Sequence, residues 1–466
     1  MKRLILSAAA VFVALAVSAS PKPKYVFYLI GDGMGVNTVY GTMMFNRSVG
    51  IGPKTLNFWD FPVRTFITTY SASSLTTDSA AAGTALATGS KTYNDAMGVG
   101  PDTLALTNIA EWAKASGAGV GIATSVPLNH ATPSAFYAHT KSRNDHDVIL
   151  NQYIGSKVDF IAGSGILTEE KRTGRNSAAL EALVREAGVR VLYKDEFDRA
   201  GEVDGRVMCL GKPGTGNDLT YAVDRREGDV TLGDFVKAGI DYLSANYMKE
   251  GFFFMIEGGN IDHAAHNEDA YAAFGEINDF AATIDIVLDF YRKHPDNTLI
   301  VVTSDHDTGS FIASWKKMPD DKSTIARQHG SEDGINADFR EFLAAHDGNI
   351  PDWEEAKDFL GEHLGLWRTV KVSAKAEESL KRDYYKSLGG GDGSVVVSLY
   401  SVSTLIVSKA IDYLNNVSGF EWGHGSHSST PVGLYAIGSR SGDLAACRDN
   451  TDVPRTIAAA AGYKVF

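Results

Sequence analysis

Six short segments of this 466-residue chain group Asp, Glu, His and Thr in the way that sites for divalent metal ions do. In chain order they are 31–35, 77–80, 130–132, 257–266, 303–306 and 425–427. Carboxylates and imidazoles are the usual ligands of a pair of zinc ions, and the remaining hard oxygens suit a third cation. Segment 77–80 also supplies a serine that such ions could activate as a nucleophile. The pattern predicts a metal-dependent hydrolase.

Several of these segments follow directly on short apolar runs, which are typical of buried parallel strands. The runs lie at 24–30, 120–124, 252–256, 298–303 and 432–437. Helical patterns such as 104–115 and 269–291 lie between them. This alternation predicts an α/β fold with a mostly parallel central sheet covered by helices on both faces. Open α/β sheets build their sites at the carboxyl ends of strands, so the segments should converge there.

Asp32 follows the first apolar run and lies between two glycines, Gly31 and Gly33. Glycine allows the backbone and a metal ion to approach each other closely, and a carboxylate here could bridge two cations. An Asp in this place also commonly caps the next helix. The motif alone leaves both interpretations open.

Ser79 opens an Ala-rich stretch, 80–87, that should be helical. A helix N-terminus offers unpaired N–H groups and the positive end of the dipole, which favour a phosphate and a developing alkoxide. Either Ser79 or Asp78 could instead be an ordinary N-cap. Four neighbouring residues with hydroxyl groups are rival nucleophiles, although none begins so clear a helix: Ser73, Ser74, Thr76 and Thr77.

Asp262 and His266 are four residues apart, so on a helix they share one face and can bind one ion. Glu257 stands at the end of the apolar run 252–256 and is separated from that pair by residues 258–261. It could therefore bind a different cation nearby. A buried carboxylate at a strand end is costly without a metal ion, which favours this interpretation.

Asp305 and His306 also follow an apolar run. Adjacent residues on a strand point to opposite faces, so both can bind one ion only if the backbone bends there. The next residues, 307–309, suit such a turn. His427 precedes the last apolar run, but His424 competes for the same role and spacing does not decide between them.

Arg143 is a candidate for binding phosphate. Its guanidinium offers two parallel donors to phosphoryl oxygens, which a lysine cannot do. Composition alone does not distinguish it from an ordinary surface arginine.

Taken together and in this order, the motifs resemble those of the alkaline phosphatase family. The resemblance is carried by Gly31-Asp32-Gly33-Met34-Gly35, Thr77-Asp78-Ser79-Ala80-Ala81, His130-Ala131-Thr132-Pro133, residues 262–266, Ser304-Asp305-His306 and Gly425-Ser426-His427. It covers nearly the whole mature chain and is poorest across about 310–421. It implies hydrolysis of phosphate monoesters to an alcohol and inorganic phosphate through a phosphoserine intermediate.

The resemblance also implies a role for each matching position. Ser79 would be the nucleophile, and Arg143 would hold the phosphoryl oxygens. One zinc ion would be bound by Asp262, His266 and His427. The second would be bound by Asp32, Asp305 and His306. A third ion, usually magnesium, would be bound by Asp32, Thr132 and Glu257. The family pattern favours His427 over His424.

One departure from the family pattern lies beside the third metal site. Some bacterial members carry Asp and Lys at positions where this chain has His130 and His263, which resembles the arrangement in animal members. We therefore expect His130 and His263 to surround the third site without necessarily binding the ion. The departure leaves open which metal binds there and at which pH the enzyme works best.

Two other functions fit part of the pattern. A phosphodiesterase or phosphonate hydrolase of the same superfamily often has Thr as its nucleophile and lacks the third metal site, whereas this chain has Ser79, Thr132 and Glu257. A non-catalytic, metal-dependent phosphate-binding protein would keep Arg143 but would not need the serine. A sulfatase would need a Cys/Ser-x-Pro-x-Arg motif, which the sequence lacks.

Residues 1–19 are typical of a secretory signal peptide. Lys2 and Arg3 precede an apolar stretch at 4–19, whose last residues, 17–19, suit cleavage. A membrane anchor is the alternative, but the stretch is short and a polar segment follows it. We therefore expect export to the periplasm or secretion, with no membrane span after the signal is removed.

The net charge narrows the range of partners. Loss of Lys2 and Arg3 removes two positive charges and takes the formal net charge from −13 to −15. Such an acidic chain argues against a nucleic acid partner. Small phosphate monoesters remain compatible, because bound cations dominate the local field of a site. A homodimer is the one larger assembly that we consider.

The chain has two cysteines, Cys209 and Cys447. An exported chain could join them in a disulfide, but an isolated pair is weak evidence for one. So few thiols argue against a cysteine-based zinc site or a catalytic cysteine.

The sequence changes character at about 311–421, inside the catalytic domain predicted for 20–466. Charged helical patterns at 353–364 and 374–388 precede a glycine-rich segment at 389–393. Because this stretch falls between the 305–306 motif and His427, we interpret it as an inserted helical lobe. A solvated surface addition is the simplest role, and a lid or a dimer contact are alternatives.

Overall fold

The computed structural model describes residues 21–212, 214, 217–314, 322–347, 349–390 and 393–466. The predicted signal peptide at 1–19 lies outside the described residues. Numbered in chain order, the strands are Tyr25–Gly31 (β1), Val63–Ile67 (β2), Gly119–Thr124 (β3), Phe160–Gly163 (β4), Arg190–Leu192 (β5), Val207–Leu210 (β6), Phe252–Gly258 (β7), Thr298–Ser304 (β8), Asp307–Thr308 (β9), Ile312–Ala313 (β10), Val395–Val397 (β11), Val402–Thr404 (β12), Phe420–Glu421 (β13), His427–Ser428 (β14) and Val432–Gly438 (β15).

The α-helices, numbered in the same way, alternate with most of these strands. They are Val36–Val49 (α1), Ser79–Thr88 (α2), Ile109–Ala115 (α3), Ala131–Ser134 (α4), His146–Gly155 (α5), Glu170–Thr173 (α6), Ser177–Glu186 (α7), Leu232–Tyr247 (α8), Asn260–His266 (α9), Ala270–Lys293 (α10), Glu332–Ala344 (α11), Trp353–Leu364 (α12), Ala374–Ser387 (α13), Leu405–Val417 (α14) and Asp452–Ala461 (α15). Short 3-10 helices lie at Asn57–Asp60, Lys194–Glu202, Pro295–Asn297, Lys322–Arg327 and Ser441–Ala446.

Nine strands form one central sheet in the order β2-β15-β8-β1-β7-β3-β4-β6-β5. All neighbours from β8 to β5 pair in parallel, whereas β15 is antiparallel to both β8 and β2. The apolar runs of the sequence therefore form the strands expected of them, and the predicted α/β class with a mostly parallel sheet is confirmed. The edge strand β2 is half-exposed, as antiparallel edge strands commonly are.

Both faces of the sheet are covered. Val26, Tyr28 and Ile30 of β1 point into one apolar core, and Phe27 and Leu29 point into the other. Because side chains alternate across a strand, a run that is apolar at every position needs a core on each side. All seven residues of β1, β7 and β8 are buried, which holds their carboxyl ends in fixed positions.

The register of the central strands places the sequence motifs together. Gly31 at the end of β1 pairs with Gly258 of β7 and with Ser304 of β8. Asp32 and the residue after Ser304 therefore leave the sheet side by side. The register of β1, β7 and β8 alone therefore places three of the six motif segments, 31–35, 257–266 and 303–306, at the same edge of the sheet.

Helices α11 to α14 pack around a third core, in the region that the sequence analysis interpreted as a lobe. Its centre includes the buried Phe339, Leu360, Tyr384 and Ile411. Phe274 of α10 belongs to the same core, so this region packs directly on the sheet-covering helices. The boundaries at about 311 and 421 stay a prediction.

Two further features bear on the sequence analysis. Cys209 and Cys447 are both buried and free, one in β6 and the other after the last 3-10 helix, and they belong to different cores. No helix in the described part of the chain combines the length and the apolar character needed to cross a bilayer.

Glu332 supplies a pH-dependent contribution to stability. It lies in the first turn of α11, almost fully buried, and burial raises the pKa of its carboxyl from 4.5 to about 8. At pH values between 4.5 and about 8, the Glu332 carboxyl is deprotonated in the unfolded chain but keeps its proton in the folded chain. The free energy of unfolding contributed by this group therefore falls as the pH rises.

We expect Glu332→Gln to gain stability relative to the parent by up to about 1.4 kcal/mol per pH unit between pH 5 and pH 8, because glutamine has no proton to lose. Urea unfolding of both proteins at the two pH values measures this difference. Glu354→Gln, at an exposed position of α12, is the matched control and should show the same difference at both pH values. A Glu332→Gln difference that does not change with pH would contradict the assignment.

Candidate active site

Three buried carboxylates meet where the central strands end. Asp32 follows β1, Glu257 is the next-to-last residue of β7, and Asp305 follows β8. Glu257 is aligned with Ile30 of β1, and the Asp32 N–H donates to the carbonyl of Gly258 at 3.2 Å. Each of the three carboxylates is at most 1% exposed. The parallel register alone thus concentrates negative charge at this edge of the sheet.

The chain bends at Asp305, as binding of one ion by two adjacent residues requires. Oδ1 of Asp305 accepts hydrogen bonds from the N–H groups of Gly33 and His306, at 3.0 and 2.9 Å. Its other oxygen, Oδ2, lies 3.1 Å from Nε2 of His306. The same ring nitrogen lies 3.5 Å from Oδ1 of Asp32. Asp32, Asp305 and His306 therefore point into one small volume.

Ser79 is the first residue of α2, and its hydroxyl is fully buried. The N-cap is Asp78, whose carboxylate accepts from the N–H of Ala81 at 3.0 Å. The capping role that the sequence left open between these two residues therefore belongs to Asp78. The Ser79 hydroxyl is left to face the site, where it lies 3.2 Å from Nε2 of His306.

Asp262, His266 and His427 form a second group beside the first. Asp262 and His266 lie one turn apart on α9, and Nε2 of His266 is 3.3 Å from Oδ2 of Asp262. Nδ1 of His266 lies 2.9 Å from the carbonyl oxygen of Gly425, and Nδ1 of His427 lies 2.9 Å from that of Thr77. A carbonyl only accepts, so each Nδ1 carries a proton, and in the neutral imidazole each Nε2 then presents a lone pair.

These two lone pairs face each other, because the Nε2 atoms of His266 and His427 are only 3.0 Å apart. Two acceptors cannot bond to one another, whereas a cation between them would satisfy both. The ring of His427 also stacks on that of His306, with centroids 3.6 Å apart, which links the two groups of ligands. His424 lies apart from them, with its ring nitrogens near the hydroxyls of Ser310 and Ser426.

A third group surrounds Glu257. Thr132, in the short helix α4, donates its hydroxyl to Oδ2 of Asp32 at 3.1 Å, and Thr124 donates to Oε2 of Glu257. His130, just before α4, offers a ring nitrogen within 4.8 Å of the carboxylates of Asp32 and Glu257. His130 therefore lies close enough to share an ion with Asp32 and Glu257, and its expected place beside the third site stays a prediction.

Arg143 lies at the open side of these groups, with 17% of its side chain exposed. Its Nη2 is 3.3 Å from Nε2 of His130, and its Nη1 is 3.7 Å from Oδ2 of Asp78. The backbone N–H of Arg143 donates to the carbonyl of Asp95, which fixes where the side chain begins. The guanidinium is therefore held next to the N-terminus of α2 and its serine.

The electrostatics of the site indicate a need for positive charge. Burial raises the pKa of Asp32 well above its ordinary value, and Asp305 and Asp262 raise it further. Burial also raises the pKa of Glu257 to about 7. In the opposite sense, burial and the neighbouring His306 lower the pKa of His427 to about 4, so its imidazole stays neutral. The neutral imidazole of His427 and the crowded carboxylates are donors that suit divalent cations.

The unsatisfied atoms support the same interpretation. Six buried ligand-type atoms here have no hydrogen-bond partner among the described residues: Oδ1 of Asp32, Oε1 of Glu257, Oδ2 of Asp262, Oδ2 of Asp305, Nδ1 of His130 and Nε2 of His263. Buried polar atoms normally have partners, so a concentration of exceptions at one point requires an explanation. Three groups of residues could each hold one ion: Asp262 with His266 and His427, Asp32 with His130 and Glu257, and Asp32 with Asp305 and His306.

Sequence reasoning missed several residues that shape the site. Thr308 donates to Oδ1 of Asp262 at 2.5 Å, and Nδ1 of His263 lies 2.8 Å from Oδ2 of Asp218. Tyr400, from the hairpin β11–β12, stacks on His263. Thr308 follows the 305–306 motif directly and could have been suspected. Asp218 and Tyr400 are distant in sequence and carry no local signal.

Gly33 shows why the first motif needs its glycines. Its φ of 64° lies in the left-handed region, and a Cβ there would come within 2.5 Å of Oδ1 of Asp262. Any side chain would thus push the Asp262 carboxylate out of place. This glycine permits Asp32 and Asp262 to approach each other from separate elements.

The motifs and the fold have clear counterparts among known proteins. The sequence profile of the alkaline phosphatase family matches residues 23–163 and 203–463. Alkaline phosphatase 4 of Bacillus subtilis is 29% identical over 441 residues, covering 92% of this chain and 87% of that protein. The repressible alkaline phosphatase of Saccharomyces cerevisiae is 28% identical over 475 residues, covering 91% of this chain and 77% of that protein.

A solved structure agrees with these matches. The cold-active alkaline phosphatase from a psychrophilic Shewanella is similar with a TM-score of 0.74 and 26% sequence identity, covering 94% of this chain and 99% of that one. The predicted resemblance and the predicted activity, that of a phosphoric monoester hydrolase, are confirmed. This chain belongs to the alkaline phosphatase family.

Proposed function

We propose that the chain hydrolyses phosphate monoesters through a covalent phosphoserine on Ser79, at a site holding two zinc ions and one magnesium ion. The observation that carries this proposal is the position of the Ser79 hydroxyl. It lies 3.2 Å from Nε2 of His306 at the N-terminus of α2, beside groups of carboxylates and imidazoles that lack partners. A buried hydroxyl in that position has no evident structural role, because Asp78 already caps the helix.

Three sets of residues would hold the ions. One zinc ion would bind to Asp262, His266 and His427. The other would bind to Asp32, Asp305 and His306. A magnesium ion would bind to Asp32, Thr132 and Glu257, with His130 close enough to take part. When bound, such ions supply positive charge that stabilises an alkoxide, a leaving oxygen and a hydroxide near neutral pH.

The reaction divides into two displacements at phosphorus. In the first, the Ser79 oxygen forms a bond to phosphorus while the bond to the ester oxygen breaks, and the alcohol leaves with a proton. In the second, the oxygen of a water molecule forms the new bond, and the bond to Ser79 breaks to release inorganic phosphate. The serine recovers its proton, so it is ready for another ester.

The residues around Ser79 orient the phosphoryl group during both steps. The Arg143 guanidinium can donate in parallel to two oxygens that do not take part in bond exchange. The free N–H groups in the first turn of α2 add to the positive potential there. A well-placed donor of this kind contributes about 3–4 kcal/mol to stabilising a transition state. His130 contacts Arg143 and so helps to fix the guanidinium.

We also propose export, supported by the basic start and the short apolar stretch at 4–19. Small phosphate monoesters are the proposed binding partners, and the acidic net charge argues against nucleic acid. A homodimer stays a prediction.

We expect Ser79→Ala to lose at least about a thousandfold in kcat, because the oxygen that forms the covalent bond is absent. The initial burst of alcohol release and the incorporation of labelled phosphate into the protein should disappear together. Ser74→Ala, which changes an exposed hydroxyl in the preceding loop, is the control and should behave as the parent. Parent-like turnover of the Ser79 variant would reject the nucleophile.

We expect His427→Ala to weaken the binding of one zinc ion at least tenfold, since loss of even an outer partner of a metal ligand costs about 10–100-fold. Equilibrium dialysis against graded zinc concentrations measures the stoichiometry and affinity. His424→Ala removes a nearby imidazole that makes no contact with Asp262 or His266, and it should bind zinc as the parent does. Equal losses in the two variants would refute the ligand assignment.

We expect a monoester such as p-nitrophenyl phosphate to be preferred over the matching diester by at least about a hundredfold in kcat/KM, a difference of roughly 2.7 kcal/mol. The diester carries an ester group where the monoester presents a charged oxygen to Arg143. Steady-state turnover of both compounds by one preparation measures the ratio. A ratio near or below one would instead favour a phosphodiesterase.

A further inference from the structure

The hairpin of β11 and β12 is fixed over the candidate active site. Its tip, 398–401, is closed by the Ser398 N–H, which donates to the Ser401 carbonyl at 2.9 Å. At its base, the Thr404 N–H donates to Oδ1 of Asn336 on α11 at 2.9 Å. The hairpin is therefore attached to the helices around the third core.

The tip is also attached to the helix that carries two candidate metal ligands. Asn267 follows His266 at the end of α9, and its Oδ1 accepts from the hydroxyls of Ser398 and Ser401 at 2.6 and 2.8 Å. Contacts at both the base and the tip determine where the residues between those two serines lie. Tyr400 is one of these residues.

The Tyr400 ring lies against the imidazoles on the open side of the site. Its centroid is 3.6 Å from that of His263, at an interplanar angle of 30°. It is 5.3 Å from the ring of His266 and 5.8 Å from that of His130. No other described aromatic ring outside the histidines reaches this part of the site.

Tyr400 also lines a cavity of about 630 Å³ that includes Arg143. His130, His263 and Leu399 line the same cavity. The Tyr400 hydroxyl is buried beside the Arg143 guanidinium. A guanidinium can only donate, so the phenol O–H has no acceptor among the described residues. A phenol O–H that is buried normally has a partner, so this donor is placed for a group that enters the cavity.

We propose that the Tyr400 hydroxyl is a further substrate-binding group, which donates a hydrogen bond to a phosphoryl oxygen of the bound monoester beside Arg143. The inference rests on the proposed function, because it takes the ester to lie between Ser79 and Arg143. The ring and the hydroxyl then have separate roles. The ring packs on His263 whether or not an ester is bound, and the hydroxyl acts only when phosphate is present.

The test compares Tyr400→Phe with the parent, using the full chain in the presence of zinc and magnesium. Binding of inorganic phosphate is measured by calorimetry, and KM and kcat are measured with p-nitrophenyl phosphate. Phenylalanine keeps the ring and removes only the donor. We expect the Kd of phosphate and the KM to rise about tenfold, as loss of a hydrogen bond to a charged group does. Tyr385→Phe, at an exposed tyrosine of α13, is the matched control and should leave all three values unchanged.

The remaining outcomes would overturn the inference. Parent-like phosphate binding and KM in Tyr400→Phe, with losses only in Tyr400→Ala, would leave the ring with a packing role alone. Parent-like values in both variants would remove Tyr400 from the site. If the parent hydrolyses the ester and Tyr400→Phe has the same phosphate Kd and KM as the parent, this inference is refuted and the proposed function is not. If the parent neither binds phosphate nor hydrolyses the ester, both are refuted.

Discussion

The structure depends on the repulsion between carboxylates that the central sheet forces together. Strands β1, β7 and β8 run in parallel and in register, so Asp32, Glu257 and Asp305 end at the same edge. Two like charges about 4 Å apart repel each other by roughly 4 kcal/mol where the effective dielectric constant is about 20. Burial increases the cost, and it raises the pKa values of Asp32 and Glu257. An arrangement of this kind is stable only with protons or cations, and divalent cations also satisfy the free oxygens.

The imidazoles indicate whether protons or metal ions neutralise the carboxylates. Protons alone could neutralise the carboxylates, but His266 and His427 are held so that both Nε2 lone pairs point at one place. Backbone carbonyls fix these orientations, and they belong to Gly425 and Thr77, far from the rings in sequence. The fold thus holds the donors of a metal site in position before any ion arrives. That preorganisation favours metal binding over protonation as the function of the cluster.

Much of this site could be predicted from the sequence, for a physical reason. Apolar runs in the sequence predict the strands, and the parallel sheet then determines where the residues at the strand ends lie. The positions of Asp32, Glu257 and Asp305 could be predicted in this way. The i, i+4 pair Asp262 and His266 is equally local. The local sequence does not show which of His424 and His427 is the ligand, because this depends on where the loop that carries both residues returns to the sheet. The family resemblance indicated His427, and this is the residue that the structure places beside Asp262.

Other features were beyond the sequence because they depend on side-chain orientation across long separations. Residues 78 and 79 were equivalent as N-cap candidates until the Asp78 carboxylate was seen to accept from Ala81. Asp218 contacts His263 across 44 intervening residues, which include helix α8 and strand β7, so no local pattern indicates the pair. Tyr400 lies in the region where the sequence pattern was least informative.

The position of Tyr400 suggests how the two parts of the molecule divide their tasks. The sheet edge and α9 supply the donors, and their places are fixed by residues that are nearly all buried. The hairpin is more exposed, since the side chains of Val397 and Leu399 are largely open to solvent. Surface segments tolerate changes of sequence better than the buried elements that support them. Asn267 joins the two parts next to His266, and Tyr400 packs on His263 of the same helix. Changes at 398–401 could therefore alter what contacts the substrate, while the cluster of ligands at the sheet edge stays as it is.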